Sequence, residues 1–284
     1  MTDKVRYSFS GHESFYCKSL WLKKGYDFVS ANKNFNSEDA VVHLGVGKNM
    51  VAAIRYWLRA FGLLDEEGQT EIADYLFNDE GGEDPYIEDL GTLWLLHYLL
   101  IKTELASIYK LFFIDFQREK NNEFTRDQLH LFLKRKNNET RYAHLYNENT
   151  VKRDIGVLVQ NYITPKQEKP NEDFSALLIN LNLIKQTADK MLYFNYKGKT
   201  ELIPEIFLYA IIDDKKSENI ISFDRLMDLA LMFCLSKTEL IDTILLIVEK
   251  YPELLRYTDD GGIKQLFFLQ EIDKNEVLEQ YYAR

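Results

Sequence analysis

The feature that most constrains this sequence is a short helix, a tight turn and a longer helix ending in an apolar residue, an arrangement that recurs with variation along the chain. In the first copy Leu44 precedes the turn Gly45–Gly47, and Val51, Ile54 and Leu58 follow at helical spacing. Small turn residues between two apolar stripes let two helices cross steeply and pack closely. Each longer helix is followed by a hairpin or polar loop, so the pattern predicts winged helix-turn-helix modules.

Two further copies follow. In the second, a helix over 126–134 precedes one over 150–162, for which Asn149 is the predicted cap. In the third, a short helix over 223–229 precedes a longer one that Ser236 and Glu239 open as a capping box. The residues 259–262 are predicted to form a hairpin turn between two short strands.

These patterns predict a mainly α fold with small β-hairpins. The predicted helices cover 39–44, 48–61, 92–111, 126–134, 150–162, 204–212, 223–229 and 237–251, and the predicted strands cover 177–183, 191–196, 255–257 and 264–269. We predict tandem modules: 1–91, an N-terminal winged-helix module with an acidic loop; 92–203, a helical connector and second winged-helix-like module; and 204–284, a C-terminal winged-helix-like module. With 5 prolines and no Ser/Gly linker, the modules are expected to pack together.

The net charge of -10 is unevenly placed. Residues 1–64 carry nine basic and five acidic side chains, and residues 65–91 carry no basic and eleven acidic ones. Residues 92–200 carry seventeen basic and twelve acidic side chains, and residues 201–284 carry nine basic and seventeen acidic ones. Two thirds of the chain is therefore mildly basic, and a surface that contacts DNA is compatible with an acidic whole.

The helix after the first turn carries a basic stripe. At 100° per residue, Lys48, Ala52, Arg55 and Arg59 fall within about 60° of arc and face away from the apolar side, and Asn49 is a further predicted DNA contact on this helix. We predict that this helix enters the major groove of DNA, where Arg55 contacts a guanine edge or a phosphate and Lys48 contacts the backbone. An ordinary solvated helix face is the alternative.

A second DNA-contacting patch is predicted in the span 118–153, which holds nine basic and five acidic residues. Its members are Lys134, Arg135, Lys136, Asn149, Lys152 and Arg153; a solvated loop after a helix is the alternative. The third long helix is apolar on every side over 244–248, so we expect it to be buried or to contact a partner other than DNA. The acidic segment 65–91 repels phosphate and is either a solvated loop or a docking face for a basic partner.

The sequence contains no complete catalytic or metal-binding motif. His12-Glu13 lacks the second histidine of a zincin, because Tyr16 stands four residues later, and the glycines before Lys48 do not complete a phosphate-binding loop. Cys17 and Cys234 are the only cysteines and lie far apart, which excludes a CxxC metal site. We therefore predict no enzyme activity, no cofactor and no metal. Without an apolar membrane span or signal core, a cytoplasmic location without a membrane partner is expected.

Several motifs together resemble an uncharacterised bacterial domain family. They are Phe9-Ser10-Gly11-His12-Glu13-Ser14-Phe15, Trp21-Leu22-Lys23-Lys24-Gly25, Leu44-Gly45-Val46-Gly47-Lys48-Asn49-Met50-Val51, Ala53-Ile54-Arg55-Tyr56-Trp57, Asp84-Pro85-Tyr86-Ile87-Glu88-Asp89 and Thr92-Leu93-Trp94-Leu95-Leu96-His97-Tyr98. The resemblance covers most of the chain and is most specific in its first hundred residues. Members tend to be encoded beside DNA phosphorothioation (Dnd-type) and other phage-defence genes, which implies an accessory role linked to DNA. Where the family has an arginine ahead of the Trp-Leu pair, this chain has Lys18, which cannot make a bidentate contact.

The His12-Glu13 element has two interpretations. His12 hydrogen-bonds within the core and fixes an N-terminal strand, or it lines a small pocket with Glu13, His97 and Tyr98.

The sequence therefore predicts a non-enzymatic DNA-binding accessory or regulatory protein of a bacterial DNA-modification or phage-defence system. Its expected partners are duplex DNA and protein components of that system. The first alternative is a protein-interaction scaffold that uses winged helices and acidic segments to assemble a defence complex. The second is an enzyme built around His12, Glu13 and His97.

Overall fold

The computed structural model describes residues 6–120, 123–163, 175–198 and 202–283. The chain is mainly helical with two small antiparallel sheets, as predicted. Its contacts define two compact units, Met1–Asn195 and Tyr196–Arg284. The predicted boundary after residue 91 lies inside the first unit, and the division after Asn195 precedes the predicted boundary after residue 203.

The first unit contains nine α-helices and two strands among its described residues. They are α1 (Trp21–Ser30), α2 (Ala40–Leu44), α3 (Lys48–Ala60), α4 (Glu71–Phe77), α5 (Leu90–Lys102), α6 (Ser107–Lys110), α7 (Gln117–Glu119), α8 (Arg126–Asn138), α9 (Glu148–Tyr162), β1 (Ile184–Gln186) and β2 (Leu192–Phe194). A π-helical segment, Leu111–Phe116, joins α6 to α7, and 3-10 turns lie at Ala143–Leu145 and Ile179–Leu181.

The α1–α3 contact explains how the first helices are positioned. A Cβ at Gly25 would lie 2.6 Å from Leu58 Cδ1 and 2.7 Å from Ile54 Cγ2, so the two helices approach as closely as a glycine permits. Gly45 ends α2 with a φ of 61°, the left-handed conformation that the turn into α3 requires. These contacts bury one side of α3 and leave the other side outward.

The predicted helix over 92–111 is wrong, because the chain breaks between α5 and α6. Glu104 has a φ of 56°, which no α-helix accommodates. The Thr103 hydroxyl donates to the carbonyl oxygen of Ala60 at 2.6 Å and ties the break to the end of α3. The apolar run on both sides of the break conceals it in the sequence.

Two further predictions in the first unit are wrong. The residues 177–183 form no strand; they contain the 3-10 turn, which ends at Asn182 with a φ of 50°, and β1 begins afterwards. The cap of α9 is Asn147, whose Oδ1 accepts from the Thr150 N–H at 3.0 Å, and not Asn149. The predicted strand over 191–196 is confirmed as β2, which pairs with β1 and contacts Phe124 through an isolated bridge.

The second unit has four helices and three strands among its described residues. They are α10 (Pro204–Lys215), β3 (Ile220–Ser222), α11 (Phe223–Met232), α12 (Lys237–Lys250), β4 (Leu255–Asp260), β5 (Ile263–Phe268) and α13 (Lys274–Tyr282). The strands form one antiparallel sheet in the order β3-β5-β4. The predicted capping box of Ser236 and Glu239 is confirmed. The predicted hairpin turn is also confirmed, with φ values of 60° at Gly261 and 84° at Gly262.

Candidate nucleic-acid interface

The outward side of α3 carries the cations that the helical spacing placed there. Lys48, Asn49, Ala52 and Arg59 are exposed and Arg55 is half-buried. The opposite side is buried and contributes Val51, Ala53, Ile54, Trp57 and Leu58 to the core. The stripe is therefore available to a ligand without any rearrangement of the helix.

These side chains line a groove of about 740 Å³. The α3 side of the groove is lined by Lys48, Val51, Ala52, Arg55, Tyr56 and Arg59. Residues of the segment 35–41, before and within α2, line it as well, together with Leu105. Asn49 is exposed on the same helix but is not among the lining residues. The structure thus brings four of the five predicted α3 residues to one concave surface.

The groove has a positive balance and a positioned arginine. Among its lining residues three are basic and one, Glu38, is acidic. Arg55 Nη1 donates to Asn36 Oδ1 at 3.1 Å, which directs the guanidinium along the groove. A guanidinium held in this way offers its remaining N–H groups to an anion such as phosphate.

Buried polar contacts hold α3 from behind. The Trp57 indole N–H donates to the carbonyl oxygen of Phe15 at 3.1 Å, and the ring stacks on His12 with centroids 6.1 Å apart. The Ser14 N–H donates to His12 Nδ1 at 3.1 Å, so Nε2 carries the proton that bonds Asp154 Oδ1 at 2.9 Å. The residues 9–15 are therefore tied to both α3 and α9.

Tyr56 lies between this core and the groove. Its ring meets His12 edge-on, with centroids 5.8 Å apart, and it also lines the groove. Burial, reinforced by the negative charge of Asp154, raises the pKa of the Tyr56 hydroxyl well above its ordinary value. Tyr56 is therefore a neutral surface in the groove at physiological pH.

The residues predicted to line a small pocket with His12 have different contacts from those of His12. His12 bonds Asp154, whereas His97 Nδ1 bonds the Tyr162 hydroxyl at 2.8 Å and packs edge-on against Phe113. Tyr98 is fully buried and Glu13 is exposed. The geometry thus gives each histidine its own hydrogen-bond partner in the core, and residues 6–17 form no regular strand.

In the second predicted patch, α8 cations are engaged by neighbouring acids. Arg135 Nη2 contacts both carboxylate oxygens of Glu119, at 2.7 and 2.5 Å. Lys136 Nζ lies 3.5 Å from Asp115, and Lys134 is exposed. The ion pairs reduce the charge that this helix offers to phosphate.

The α9 part of the patch is exposed. Lys152 Nζ donates to Glu148 at 2.6 Å one turn earlier, and this contact lowers the pKa of the Glu148 carboxyl. Asn149 and Arg153 are also exposed. None of the residues of this second patch lines the groove beside α3.

Carboxylates of the acidic segment 65–91 serve as hydrogen-bond acceptors. Asp84 is buried, and its oxygens accept from the N–H groups of Glu88 and Asp89 at 2.9 and 3.0 Å. Asp89 caps α5 by accepting from the Gly91 N–H at 2.6 Å, and Asp79 pairs with Lys23 at 2.6 Å. Several carboxylates of the acidic segment therefore stabilise its conformation.

The described ranges contain no group of three or more His, Cys, Asp or Glu side chains arranged to hold a metal ion. Burial raises the pKa of the Cys17 thiol well above its ordinary value, which disfavours the nucleophilic thiolate. No helix in these ranges is long and apolar enough to cross a membrane.

The fold and groove define a mainly helical protein with a cationic concave surface beside its third helix. The chain belongs to the family described as protein of unknown function (DUF4007), whose model matches residues 9–282. Comparison with curated proteins gives no match.

Two crystal structures of SspB are similar to this chain. The magnesium ion-bound structure has 27% identity and a TM-score of 0.85, covering 98% of this chain and 88% of that chain. The other SspB structure has 26% identity with the same TM-score and coverage.

Proposed function

We propose that this protein is a non-enzymatic DNA-binding accessory or regulatory protein of a bacterial DNA-modification or phage-defence system. One observation carries the proposal: Lys48, Ala52, Arg55 and Arg59 line a single groove. Membership of the DUF4007 family and the likeness to SspB support it. The link to DNA modification rests on the resemblance of the sequence motifs to proteins encoded beside phosphorothioation genes.

The groove suits the DNA backbone because it offers cations around a small residue. Lys48 lies in the first turn of α3, where backbone N–H groups also favour an anion. Arg55 and Arg59 continue the positive surface along the helix, and Ala52 leaves room between them. Such contacts are local, since the segments 65–91 and 201–284 are net acidic and repel phosphate.

We further infer winged-helix modules from the element order. In the second unit the order α10-β3-α11-α12-β4-β5 with the sheet order β3-β5-β4 is typical of a winged helix. In the first unit α8 and α9 lie between Phe124 and the β1-β2 hairpin, and Phe124 bridges to Leu192. After α3 the corresponding feature is a single bridge, Leu64 to Gln69.

The test is equilibrium binding of a fluorescent duplex at low salt. The variant Arg55→Glu/Arg59→Glu should lose about 100-fold in affinity, because two phosphate contacts become repulsive. The matched control is Arg256→Glu, an exposed arginine of β4. Equal affinity of the α3 variant and the wild type would contradict the proposal, provided that thermal unfolding shows both folded.

The non-enzymatic part of the proposal has its own test, prompted by the magnesium-bound relative. Supercoiled plasmid incubated with the protein and Mg²⁺ should remain supercoiled, with and without phosphorothioate in the DNA. Nicked or linear plasmid that disappears on addition of a chelator would show an enzyme instead.

A further inference from the structure

The outward face of α12 combines apolar and acidic side chains. Leu245 and Leu246 are 50% and 53% exposed, whereas their neighbours Ile244 and Ile247 are fully buried. At 100° per residue the exposed Asp242 and Glu249 fall between the two leucines. Within the segment 244–248, predicted to be buried or to contact a partner, Ile244 and Ile247 are therefore buried, whereas Leu245 and Leu246 are exposed.

Both lysines of α12 contact residues outside this face. Lys250 Nζ pairs with Glu205, which is buried in α10, and Lys237 lies over the Phe223 ring, 5.7 Å from its centroid. Each lysine thus contacts a group other than Asp242 and Glu249. The exposed surface of α12 therefore has an acidic and apolar character.

The helix is fixed independently of its exposed leucines. The capping box of Ser236 and Glu239 opens it, and the Thr243 hydroxyl donates to the Glu239 carbonyl oxygen at 2.8 Å. Leu240, Ile244 and Ile247 are buried in the core. Because Leu245 and Leu246 lie outside this buried set, their apolar surface is accessible to a partner.

We propose that this face docks a basic amphipathic helix of a partner protein. Asp242 and Glu249 repel a nucleic-acid backbone and attract lysine or arginine, while Leu245 and Leu246 offer apolar contacts on either side of the acids. An amphipathic helix with apolar residues flanking a basic row matches both features. The inference goes beyond DNA binding by α3 and depends on different residues.

The test uses the full chain and two synthetic peptides. One is a labelled amphipathic helix of leucine and lysine; the other has glutamate in place of every lysine. The Leu/Lys peptide should bind, and Leu245→Gln/Leu246→Gln should weaken binding about tenfold or more, since such central apolar contacts dominate interfaces. Asp242→Asn/Glu249→Asn should weaken binding and reduce its salt dependence.

Matched controls separate this face from general charge attraction. Leu131→Gln changes a leucine of α8 that is 63% exposed and should leave peptide affinity unchanged. Arg55→Glu/Arg59→Glu should also retain peptide binding, so loss of DNA binding and loss of docking are distinguishable. Equal binding of both peptides, no binding, or an equal loss in Leu131→Gln would overturn the proposal.

Sedimentation of the purified chain tests whether a second copy of the chain occupies this face of α12. The proposal expects a monomer whose mass is unaffected by Leu245→Gln/Leu246→Gln. A wild-type oligomer that this variant converts to a monomer would identify a second copy as the occupant and overturn the assignment to a basic partner helix.

Discussion

The helices α3 and α12 each follow a shorter helix and a turn in their own unit, yet their outward faces differ. The face of α3 carries Lys48, Arg55 and Arg59, whereas that of α12 carries two leucines and two acids. Both helices bury apolar residues on their inner sides. Inward residues therefore position such a helix, and outward residues determine which chemistry it can contact.

The two helices are also anchored differently. α3 depends on contacts distant in sequence: the close approach of Gly25, and the hydrogen bond from Trp57 to Phe15. The start of α12 depends on a capping box between Ser236 and Glu239, three residues apart. Substitutions in the first unit should consequently have larger effects on stability than loss of the local cap.

The largest effect is expected at Asp154. Asp154→Ala should lower the free energy of unfolding by about 3 kcal/mol, because His12 and the Ser10 N–H lose a buried acceptor. Urea unfolding measures the change, and Asp242→Ala on the exposed face of α12 is the control, with a change within about 0.5 kcal/mol. Similar losses in both variants would show that Asp154 does not anchor Ser10 and His12 to α9.

An intermediate effect is expected where α1 meets α3. Gly25→Ala should cost about 2 kcal/mol, because its Cβ would overlap Leu58 and Ile54 and push α3 outward. The same urea titration measures it. Gly156→Ala in α9 is the matched control, since a Cβ there meets nothing within 4 Å; a neutral Gly25→Ala would mean that the two helices tolerate a wider separation.

The smallest effect is expected at the cap of α12. Ser236→Ala should cost about 1 kcal/mol, because the Glu239 N–H loses its side-chain acceptor. Ser236→Asp retains an acceptor and should recover most of the loss. If Ser236→Ala lowers the free energy of unfolding more than Gly25→Ala does, the local cap contributes more to stability than the contact between α1 and α3, contrary to this account.

Local rules predicted part of this molecule. The capping box, the turn at 261–262 and the outward side of α3 each depend on residues close together in sequence. The helix α4 was not predicted because its acids obscure the buried stripe of Ala73, Leu76 and Phe77. The strand β3 is three residues long and is stabilised by pairing with the distant β5.

The groove itself could be predicted only in part. Helical spacing indicates which α3 residues face outward, but the opposing wall comes from the segment 35–41 and Leu105. Asn36, which bonds Arg55, lies nineteen residues earlier in an exposed segment without a motif. The partners of His12 and His97, Asp154 and Tyr162, are likewise brought near only by the fold.

The salt dependence of duplex binding tests the central claim most directly. If Lys48, Arg55 and Arg59 each contact phosphate, the logarithm of affinity should fall against the logarithm of salt concentration with a slope of about -3. The slope of Arg55→Glu/Arg59→Glu should be shallower by about 2, while that of Arg256→Glu should match the wild type. An unchanged slope in the α3 variant would contradict a role for this groove in binding DNA.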